Sequence, residues 1–304
     1  TSRVASSINA SGSDMQTRRV SHLIKHTTHS HYYMAVREGA TNRRPQIMGV
    51  INATPDSFYA ESRNGSISKA KEMFSNGADW IDIGGESTRP GAKEVPTQAQ
   101  LDRVIPLIEA IKKNSNIVIS IDSGNPEVIK EAIRNGAELV NDVYALQKPG
   151  ALEVLAQSKK AVCLMHMQNQ PASMQNDPVY NKLPDDILDF FRQRINDCQN
   201  AGIASDRIVI DPGFGFGKNM QHNLLLLKYL NDFTKLKAPI CVGLSRKQLI
   251  GDITSKPIEK RLIGGIAAAL YATRHGANIV RTHDVAATID ALEVVNSINS
   301  VDLP

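Results

Sequence analysis

The chain has 304 residues and a mass of 33.2 kDa, and its 35 Lys and Arg outnumber its 31 Asp and Glu, giving a formal net charge of +4. A hydrophobic fraction of 41% and a charged fraction of 22% are ordinary for a globular protein, and the length suffices for one large domain or two small ones. No apolar run approaches the roughly 18 residues that a membrane helix needs, so we expect no membrane span.

The three cysteines are spread along the chain, at Cys163, Cys198 and Cys241. An odd number without close spacing argues against a disulfide scaffold and against a cysteine-based zinc site. We therefore expect a reducing compartment, the cytoplasm.

The excess of positive charge is confined to the N-terminal part of the chain. Residues 1–46 carry seven basic and two acidic side chains, a net charge of +5, while the remainder carries −1. The sequence pI of about 8.9 suggests a protein that binds nucleic acid. A nearly neutral domain with a basic tail is, however, a poor nucleic-acid binder by composition.

The first part of the chain has the composition of an unfolded segment. Residues 1–30 are rich in Ser and Thr and show little apolar periodicity. We therefore assign residues 1–45 to a disordered N-terminal tail, a linker or a cloning remnant, and residues 46–304 to one folded domain. A transit peptide is also rich in Ser and Arg and is the alternative for the tail.

From Pro45 onward, short apolar runs recur along the chain. They are β-branched and do not alternate with polar residues, which is typical of parallel strands buried on both faces. The runs are 47–51, 80–83, 117–121, 138–140, 161–165, 207–210, 240–244 and 278–280.

Amphipathic helical stretches separate these runs, and their ends carry recognisable signals. Asn125 offers a capping side chain, Pro126 suits the first helical position, and Glu127 lies near the positive end of the helix dipole. The pattern predicts a helix over 127–135 that stops at Gly136. The same glycine stop recurs before other strands, at Gly77, Gly202 and Gly276.

The repeat of a helix, a C-terminal glycine and a buried strand is a βα repeat. Roughly eight such units over about 255 residues match, in number and length, an α/β fold of the (β/α)₈ or TIM-barrel type. We therefore predict a single-domain TIM barrel after the tail, with an open doubly wound sheet as the alternative.

Polar side chains follow each predicted strand in turn. A TIM barrel builds its active site at the carboxyl ends of its strands, and charges so close to a core need partners or a ligand. In strand order these residues are Asn52; Glu86, Thr88 and Arg89; Asp122; Asn141 and Asp142; His166; Asp211; Ser245, Arg246 and Lys247; and Arg281 and His283.

Two glycine-rich loops follow the second and sixth predicted strands. Residues 213–218 (GFGFGK) fail the Walker and dinucleotide-binding patterns, because Pro212, Lys218 and Asn219 occupy key positions. This loop is interpreted either as a tight βα turn or as backbone that a flat ligand can approach. Residues 84–91 (GGESTRPG) form a flexible polar loop suited to closing over an anionic substrate.

The polar residues divide by chemistry into two sets. One set suits a planar heterocycle with several N–H donors: Asp122, Asn141 and Asp211. The other suits an anion such as a diphosphate, with Mg²⁺ as its counterion: Asn52, Lys247, Arg281 and His283. Arg89 suits a second anion such as a carboxylate, and no Cys–His pair or elbow serine indicates acyl transfer. The residues thus predict a barrel enzyme that binds a polar heterocycle and a phosphorylated group.

Distinctive motifs cover nearly the whole chain after Pro45. They are 47–58 (IMGVINATPDSF), 82–92 (DIGGESTRPGA), 121–128 (IDSGNPEV), 138–143 (ELVNDV), 164–168 (LMHMQ), 211–218 (DPGFGFGK), 243–247 (GLSRK) and 279–285 (IVRTHDV). In this order they resemble the motifs of the dihydropteroate synthase family. The resemblance implies a pterin-binding transferase of folate biosynthesis that condenses 6-hydroxymethyl-7,8-dihydropterin diphosphate with p-aminobenzoate. The products would be 7,8-dihydropteroate and diphosphate, with sulfonamides as competitors.

The resemblance also implies roles for individual residues. It places the pterin pocket at Asp122, Asn141, Met165, Asp211, Gly243 and Lys247. It places the diphosphate at Asn52, Arg281 and His283, with Asn52 also ligating Mg²⁺. It forms the p-aminobenzoate site from Thr88, Arg89, Pro90, Phe216, Ser245 and Lys247. The implied catalytic residues are Asp122, Lys247, Arg281 and His283, and Phe58 and Pro90 match positions linked to sulfonamide sensitivity.

The sequence departs from the family pattern at two places, and the resemblance also implies partners for the chain. The family often has an Asp-Gly-Gly-like run where residues 59–63 read YAESR, so we expect a less flexible first loop, and Ala53 replaces a commoner Val. The resemblance implies a homodimer and allows an upstream fusion to hydroxymethyldihydropterin pyrophosphokinase. The alternatives are a corrinoid-linked methyltetrahydrofolate methyltransferase on the same fold, and a nucleic-acid-associated protein acting through its tail.

Overall fold

The computed structural model describes residues 44–53, 60–88, 92, 94–169, 174 and 178–301. Residues 1–43 of the predicted tail therefore lie outside the described residues, as do Phe58, Arg89 and Pro90. The last two tail residues, Arg44 and Pro45, are described, and Arg44 pairs with Asp79. Within the described ranges, no helix is both long enough and apolar enough to cross a membrane.

The described strands are all parallel and form a closed barrel in chain order, with β1 paired to β8. This confirms the predicted TIM barrel and excludes the open sheet. The strands are β1 (Gln46–Asn52), β2 (Trp80–Gly84), β3 (Val118–Asp122), β4 (Leu139–Asp142), β5 (Ala161–Met165), β6 (Ile208–Asp211), β7 (Ile240–Gly243) and β8 (Ala277–Thr282).

Helices connect successive strands and surround the barrel. In the described part of the chain they are α1 (Ala60–Ser75), α2 (Thr97–Asn114), α3 (Pro126–Arg134), α4 (Ala151–Ala156), α5 (Asp185–Asn200), α6 (Met220–Lys228), α7 (Gln248–Thr254), α8 (Leu262–Arg274) and α9 (Val285–Asn299). Short 3₁₀ helices occupy Ser205–Arg207, Leu230–Leu236 and Ile258–Lys260.

The predicted helix ends have the expected local geometry. The Asn125 side chain accepts hydrogen bonds from the backbone amides of Glu127 and Val128, at 3.0 and 3.3 Å, so it caps α3. Gly136 follows this helix with a φ of +108°, a left-handed conformation that favours glycine. Positive φ angles also occur at the other predicted stops, Gly77, Gly202 and Gly276.

Alternation along each strand divides its side chains between two environments. Outward residues such as Ile81 and Ile83 pack against the helices in the main hydrophobic core. The residue between them, Asp82, faces the barrel interior, where it contacts Arg281 on β8. Several strands extend past their last apolar residue; β4, for example, continues through Asn141 and Asp142. Strands are held together by backbone hydrogen bonds, which polar residues can form as well as apolar ones.

The junction between β6 and β7 is the least regular of the barrel. Among the described strand residues, only Ile210 and Ile240 pair across it, and the pairing of β7 with β8 shifts register between Ile240 and Cys241. The Ile240 amide donates instead to the side-chain oxygen of Asn278, at 2.9 Å.

Candidate active site

The fold brings the described members of the predicted site to one rim of the barrel. They lie at or just beyond the carboxyl ends of the strands: Asn52 on β1, Thr88 after β2, Asp122 on β3, Asn141 on β4, Met165 on β5, Asp211 on β6 with Phe216 beyond it, Gly243 on β7 with Ser245 and Lys247 beyond it, and Arg281 on β8 with His283 beyond it. Arg89 and Pro90 lie outside the described residues.

A buried ion-pair cluster lies at the centre of this rim. The Arg281 guanidinium donates through Nε to Asp82 Oδ2 at 2.7 Å and through Nη2 to Asp122 Oδ2 at 2.8 Å. The Asn141 side-chain amide donates to the same Asp82 oxygen at 3.1 Å. Strands β2, β3, β4 and β8 are thus joined through the side chain of Asp82 and its neighbours.

Asp82 is absent from the residues predicted from sequence. Its side chain is fully buried, and its second oxygen has no hydrogen-bond partner among the described residues. Asp122 Oδ1 and Ser120 Oγ are likewise buried without a partner in that part of the chain. A carboxylate between two isoleucines of a buried strand was the available signal, since such a charge needs a partner in the fold.

Burial dominates the electrostatics of this cluster. Loss of water raises the pKa of Asp122 to about 7, against the lowering effect of Arg281 and with a further rise from Asp82. Burial of Arg281 favours its neutral form, but the facing carboxylates outweigh this and raise the pKa of the guanidinium. The arginine therefore stays charged while its carboxylate partners compete for it.

Asp211 is a second buried acid on the rim. Its Oδ1 accepts a hydrogen bond from the Gly213 amide at 2.8 Å, which fixes the orientation of the carboxyl group. Burial raises the pKa of Asp211, and the Gly213 amide opposes that rise. Together with Asp122 and Asn141 it supplies the acceptor-rich surface that a heterocycle with N–H donors requires.

Ser245, His283 and Asp284 form a chain of contacts after β7 and β8. The Ser245 hydroxyl donates to Asp284 Oδ2 at 3.4 Å and lies 3.2 Å from His283 Nδ1. Arg246 in turn donates to both Asp284 oxygens, at 3.0 and 2.5 Å. Burial, followed by the charge of Arg281, lowers the pKa of His283 to about 4, so its ring is neutral at pH 7. Ser245 thus contacts the side predicted to hold the diphosphate.

Lys247 and Phe216 form a further pair on the rim, after β7 and β6. The Lys247 ammonium lies 4.2 Å from the centre of the Phe216 ring, within cation–π distance. Lys247 directly precedes α7, and Phe216 belongs to the glycine loop after β6. This pair combines a flat apolar surface with a positive charge, which suits an aromatic carboxylate.

Metal binding at this rim depends on a single predicted ligand. Asn52 is exposed at the end of β1, in register with Gly84 of β2. Among the described residues, no three His, Cys, Asp or Glu side chains are grouped to hold a metal ion. One amide oxygen suits Mg²⁺ that keeps several waters and takes further ligands from a phosphorylated substrate.

Lys218 and His166 are a second pair that the predicted site omits. The Lys218 amine is buried and lies 2.9 Å from His166 Nδ1. Each belonged to a noted motif, His166 after the fifth strand and Lys218 at the end of the glycine loop. Only the folded barrel places them in contact.

Comparisons with known proteins agree with this architecture. The profile of the pterin binding enzyme family matches residues 48–283. The chain is 48% identical over 254 residues to the dihydropteroate synthase of Haemophilus influenzae, a match that covers 82% of this chain and 92% of that protein. It is 44% identical over 257 residues to the dihydropteroate synthase of Escherichia coli, covering 83% and 91% of the two chains.

Solved structures give the same result. The Yersinia pestis dihydropteroate synthase with a sulfonamide drug complex matches with a TM-score of 0.82 and 45% identity, over 85% of this chain and 95% of that one. The Xanthomonas albilineans dihydropteroate synthase with 4-aminobenzoic acid matches with a TM-score of 0.80 and 41% identity, over 85% and 94% of the two chains. The barrel, its acid-rich rim and these matches agree, and the chain belongs to the dihydropteroate synthase family of pterin-binding enzymes.

Proposed function

We propose that this chain condenses 6-hydroxymethyl-7,8-dihydropterin diphosphate with p-aminobenzoate at the carboxyl end of the barrel, releasing 7,8-dihydropteroate and diphosphate. The observation that carries the proposal is the rim itself. It combines buried acids for a pterin ring, a fixed arginine for an anion and the Lys247–Phe216 pair for an aromatic carboxylate.

The pterin ring binds to the acid-rich part of the rim. Asp122, Asn141 and Asp211 accept from and donate to the polar edge of the ring, while Met165, Gly243 and the stem of Lys247 line its faces. Asp211 is already oriented by the Gly213 amide, so binding requires little rearrangement of its carboxylate.

The diphosphate binds beside Asn52, Arg281 and His283. Mg²⁺ held by Asn52 would supply positive charge to the leaving group. His283 is neutral in the free protein. A nearby dianion favours the protonated ring, so we expect His283 to gain a proton when the diphosphate binds.

Cleavage of the pterin C–O bond leaves positive charge delocalised in the ring. The Asp122 carboxylate, held by Arg281 at 2.8 Å, stabilises that charge electrostatically. Arg281 and His283 stabilise the departing diphosphate. The aniline nitrogen of p-aminobenzoate is a weak nucleophile that needs accurate placement more than deprotonation.

p-Aminobenzoate binds between Thr88, Phe216, Ser245 and Lys247, with Arg89 and Pro90 as further predicted contacts. Phe216 provides a surface for the benzene ring. Lys247 lies 4.2 Å from the centre of the Phe216 ring, and its charge also opposes the raised pKa values of Asp122 and Asp211 on the pterin side. A sulfonamide would occupy the same surface. Yersinia pestis and Xanthomonas albilineans relatives have been solved with a sulfonamide drug and with 4-aminobenzoic acid, which supports this assignment.

We also propose that the chain is a homodimer in the cytoplasm. Exposed apolar side chains on α8 and α9 support an interface there, with Ile263 76%, Val294 61% and Ile298 64% exposed. The three buried free cysteines fit a reducing compartment. Analytical ultracentrifugation tests the dimer, and the full-length reading frame tests the pyrophosphokinase fusion.

The decisive experiment is an assay of diphosphate release that depends on p-aminobenzoate, with and without Mg²⁺. We expect release only when both substrates and Mg²⁺ are present. Methyl transfer from methyltetrahydrofolate to a corrinoid, without diphosphate release, would favour the methyltransferase alternative. Deletion of residues 1–44 should leave the activity unchanged, whereas loss of a nucleic-acid partner would assign function to the tail.

A further inference from the structure

The glycine loop after β6 ends in a buried lysine. Lys218 is 2% exposed, and its amine lies 2.9 Å from His166 Nδ1, 3.3 Å from the His166 carbonyl and 2.9 Å from the Phe216 carbonyl. The amine thus ties the residue that follows β5 to the loop that follows β6.

These three contacts satisfy a group that is costly to bury. Burial lowers the pKa of Lys218 well below its ordinary value, although Asp211 opposes this, and burial also lowers the pKa of His166. As an ammonium, Lys218 donates to all three partners. As a neutral amine it donates to the two carbonyls and accepts from the His166 ring. Either form holds the loop.

The backbone of the loop lies directly on the connection after β5. Gly213 has a φ of +73°, and a Cβ there would lie 2.0 Å from the His166 carbonyl oxygen. Gly217 has a φ of +62°, and a Cβ there would lie 2.7 Å from the Gln168 carbonyl oxygen. The Tyr180 hydroxyl donates to the Gly217 carbonyl at 2.7 Å. The Lys218 amine is therefore one part of a close fit between two segments.

Phe216 is the residue that this fit positions. Its carbonyl accepts from Lys218, and its ring lies 4.2 Å from the Lys247 ammonium. By contrast, Asp122 and Asn141 are carried by β3 and β4, and their side chains bond to Arg281 and Asp82 in the described part of the chain. Loss of the Lys218 contacts would consequently move the aromatic surface more than Asp122 and Asn141. Asp211 would keep its place on β6 and its hydrogen bond from Gly213 at the other end of the loop.

We propose that Lys218 is a positioning residue for the second substrate, holding Phe216 so that p-aminobenzoate binds in a productive orientation. The inference rests on the proposed function, because it assigns p-aminobenzoate to the Phe216 surface. His166 acts with Lys218 as its ring partner.

The test measures diphosphate release by Lys218→Met, which keeps the length of the side chain and removes its hydrogen bonds. We expect the KM for p-aminobenzoate to rise by about tenfold or more, and the KM for the pterin diphosphate to change by less than about threefold. The matched control is Lys160→Met. Lys160 lies just before β5 and pairs with Glu138 at 2.8 Å, so its loss should leave both KM values unchanged.

A second pair of variants protects the test against a folding failure. His166→Asn keeps a side-chain oxygen near the position of Nδ1, whereas His166→Leu keeps none. We expect the leucine variant to raise the KM for p-aminobenzoate and the asparagine variant to recover at least part of it. Equal rises in both KM values, or no rescue by asparagine, would overturn the inference. Wild-type protein without p-aminobenzoate-dependent diphosphate release would instead refute the proposed function.

Discussion

Asp82→Asn tests whether the buried cluster around Arg281 supports catalysis. The substitution keeps the size of the side chain and one acceptor oxygen, but it removes the charge facing Arg281 Nε at 2.7 Å. Breaking a buried ion pair costs about 3–5 kcal/mol when a charge is left unpaired. Here Asp122 still faces the guanidinium at 2.8 Å. We therefore expect a smaller loss, that of one charge-assisted hydrogen bond, which is about 1.5–3 kcal/mol of unfolding free energy.

The same change should reduce activity, because Arg281 loses one of the contacts that orient it toward the substrate. We expect kcat/KM for the pterin diphosphate to fall by about 10–100-fold, equivalent to about 1.4–2.7 kcal/mol. The measurements are initial rates of diphosphate release and urea unfolding. A folded variant whose kcat/KM stays within twofold of wild type would refute the argument.

Asp79→Asn is the matched control for this variant. Asp79 directly precedes β2, pairs with Arg44 at 2.7 Å and accepts from the Ile47 amide at 2.7 Å, but both charged side chains are about a quarter exposed, at 26% and 27%. The asparagine keeps an acceptor oxygen for the amide. A pair of this exposure contributes about 1 kcal/mol or less. We expect a small loss of stability and unchanged kinetics.

The pH profile provides an independent readout of the cluster. The pKa of Asp122 is raised to about 7, and the charge of Asp82 contributes to that rise. Since the mechanism needs the Asp122 carboxylate, wild-type kcat/KM should increase with pH up to about 7 and then level off. Asp82→Asn removes a negative neighbour, so the acid limb should move to lower pH. An unmoved limb would contradict the coupling between these two acids.

Three further predictions follow from the rim. Lys247→Ala should lower kcat by at least about a hundredfold while circular dichroism shows an intact barrel, because both ligands lose a cationic contact; near-normal turnover at saturating substrate would oppose this. Asp211→Asn should weaken pterin binding by about 2–3 kcal/mol through loss of a charge-assisted bond, and unchanged affinity in calorimetry would count against it. Gly213→Ala should lower the free energy of unfolding by more than about 2 kcal/mol, because its Cβ would meet the His166 carbonyl oxygen at 2.0 Å. Gly215→Ala should lower it by about 1 kcal/mol, because the nearest neighbour of its Cβ is a flexible Lys247 carbon at 3.5 Å. Urea unfolding of the two glycine variants compares these values directly.

Much of the fold follows from local patterns in the sequence. Asn125 and Gly136 limit α3 because a capping side chain and a left-handed glycine act within a few residues of the helix they bound. Once the eight-fold βα repeat is recognised, the strand ends are known to meet at one rim, which groups Asp122, Asp211 and Arg281 without knowledge of any contact.

The contacts between side chains within the rim could not be predicted in the same way. Asp82 and Arg281 are 199 residues apart, and Lys218 and His166 are 52 apart. Which inward side chains touch depends on strand register and on the shape of the barrel. The protonation state of His283 depends on burial, which becomes known only with the packing around it.

Fewer residues pair across the junction of β6 and β7 than across any other junction of the described strands. Only Ile210 and Ile240 pair across it among the described strand residues, so fewer backbone hydrogen bonds resist separation of these strands there. Asp211 and Lys247, at the ends of the adjoining segments, stand on opposite sides of that junction. Because the proposed pterin and p-aminobenzoate sites meet between these residues, a change in the separation of β6 and β7 would change the distance between the two bound substrates.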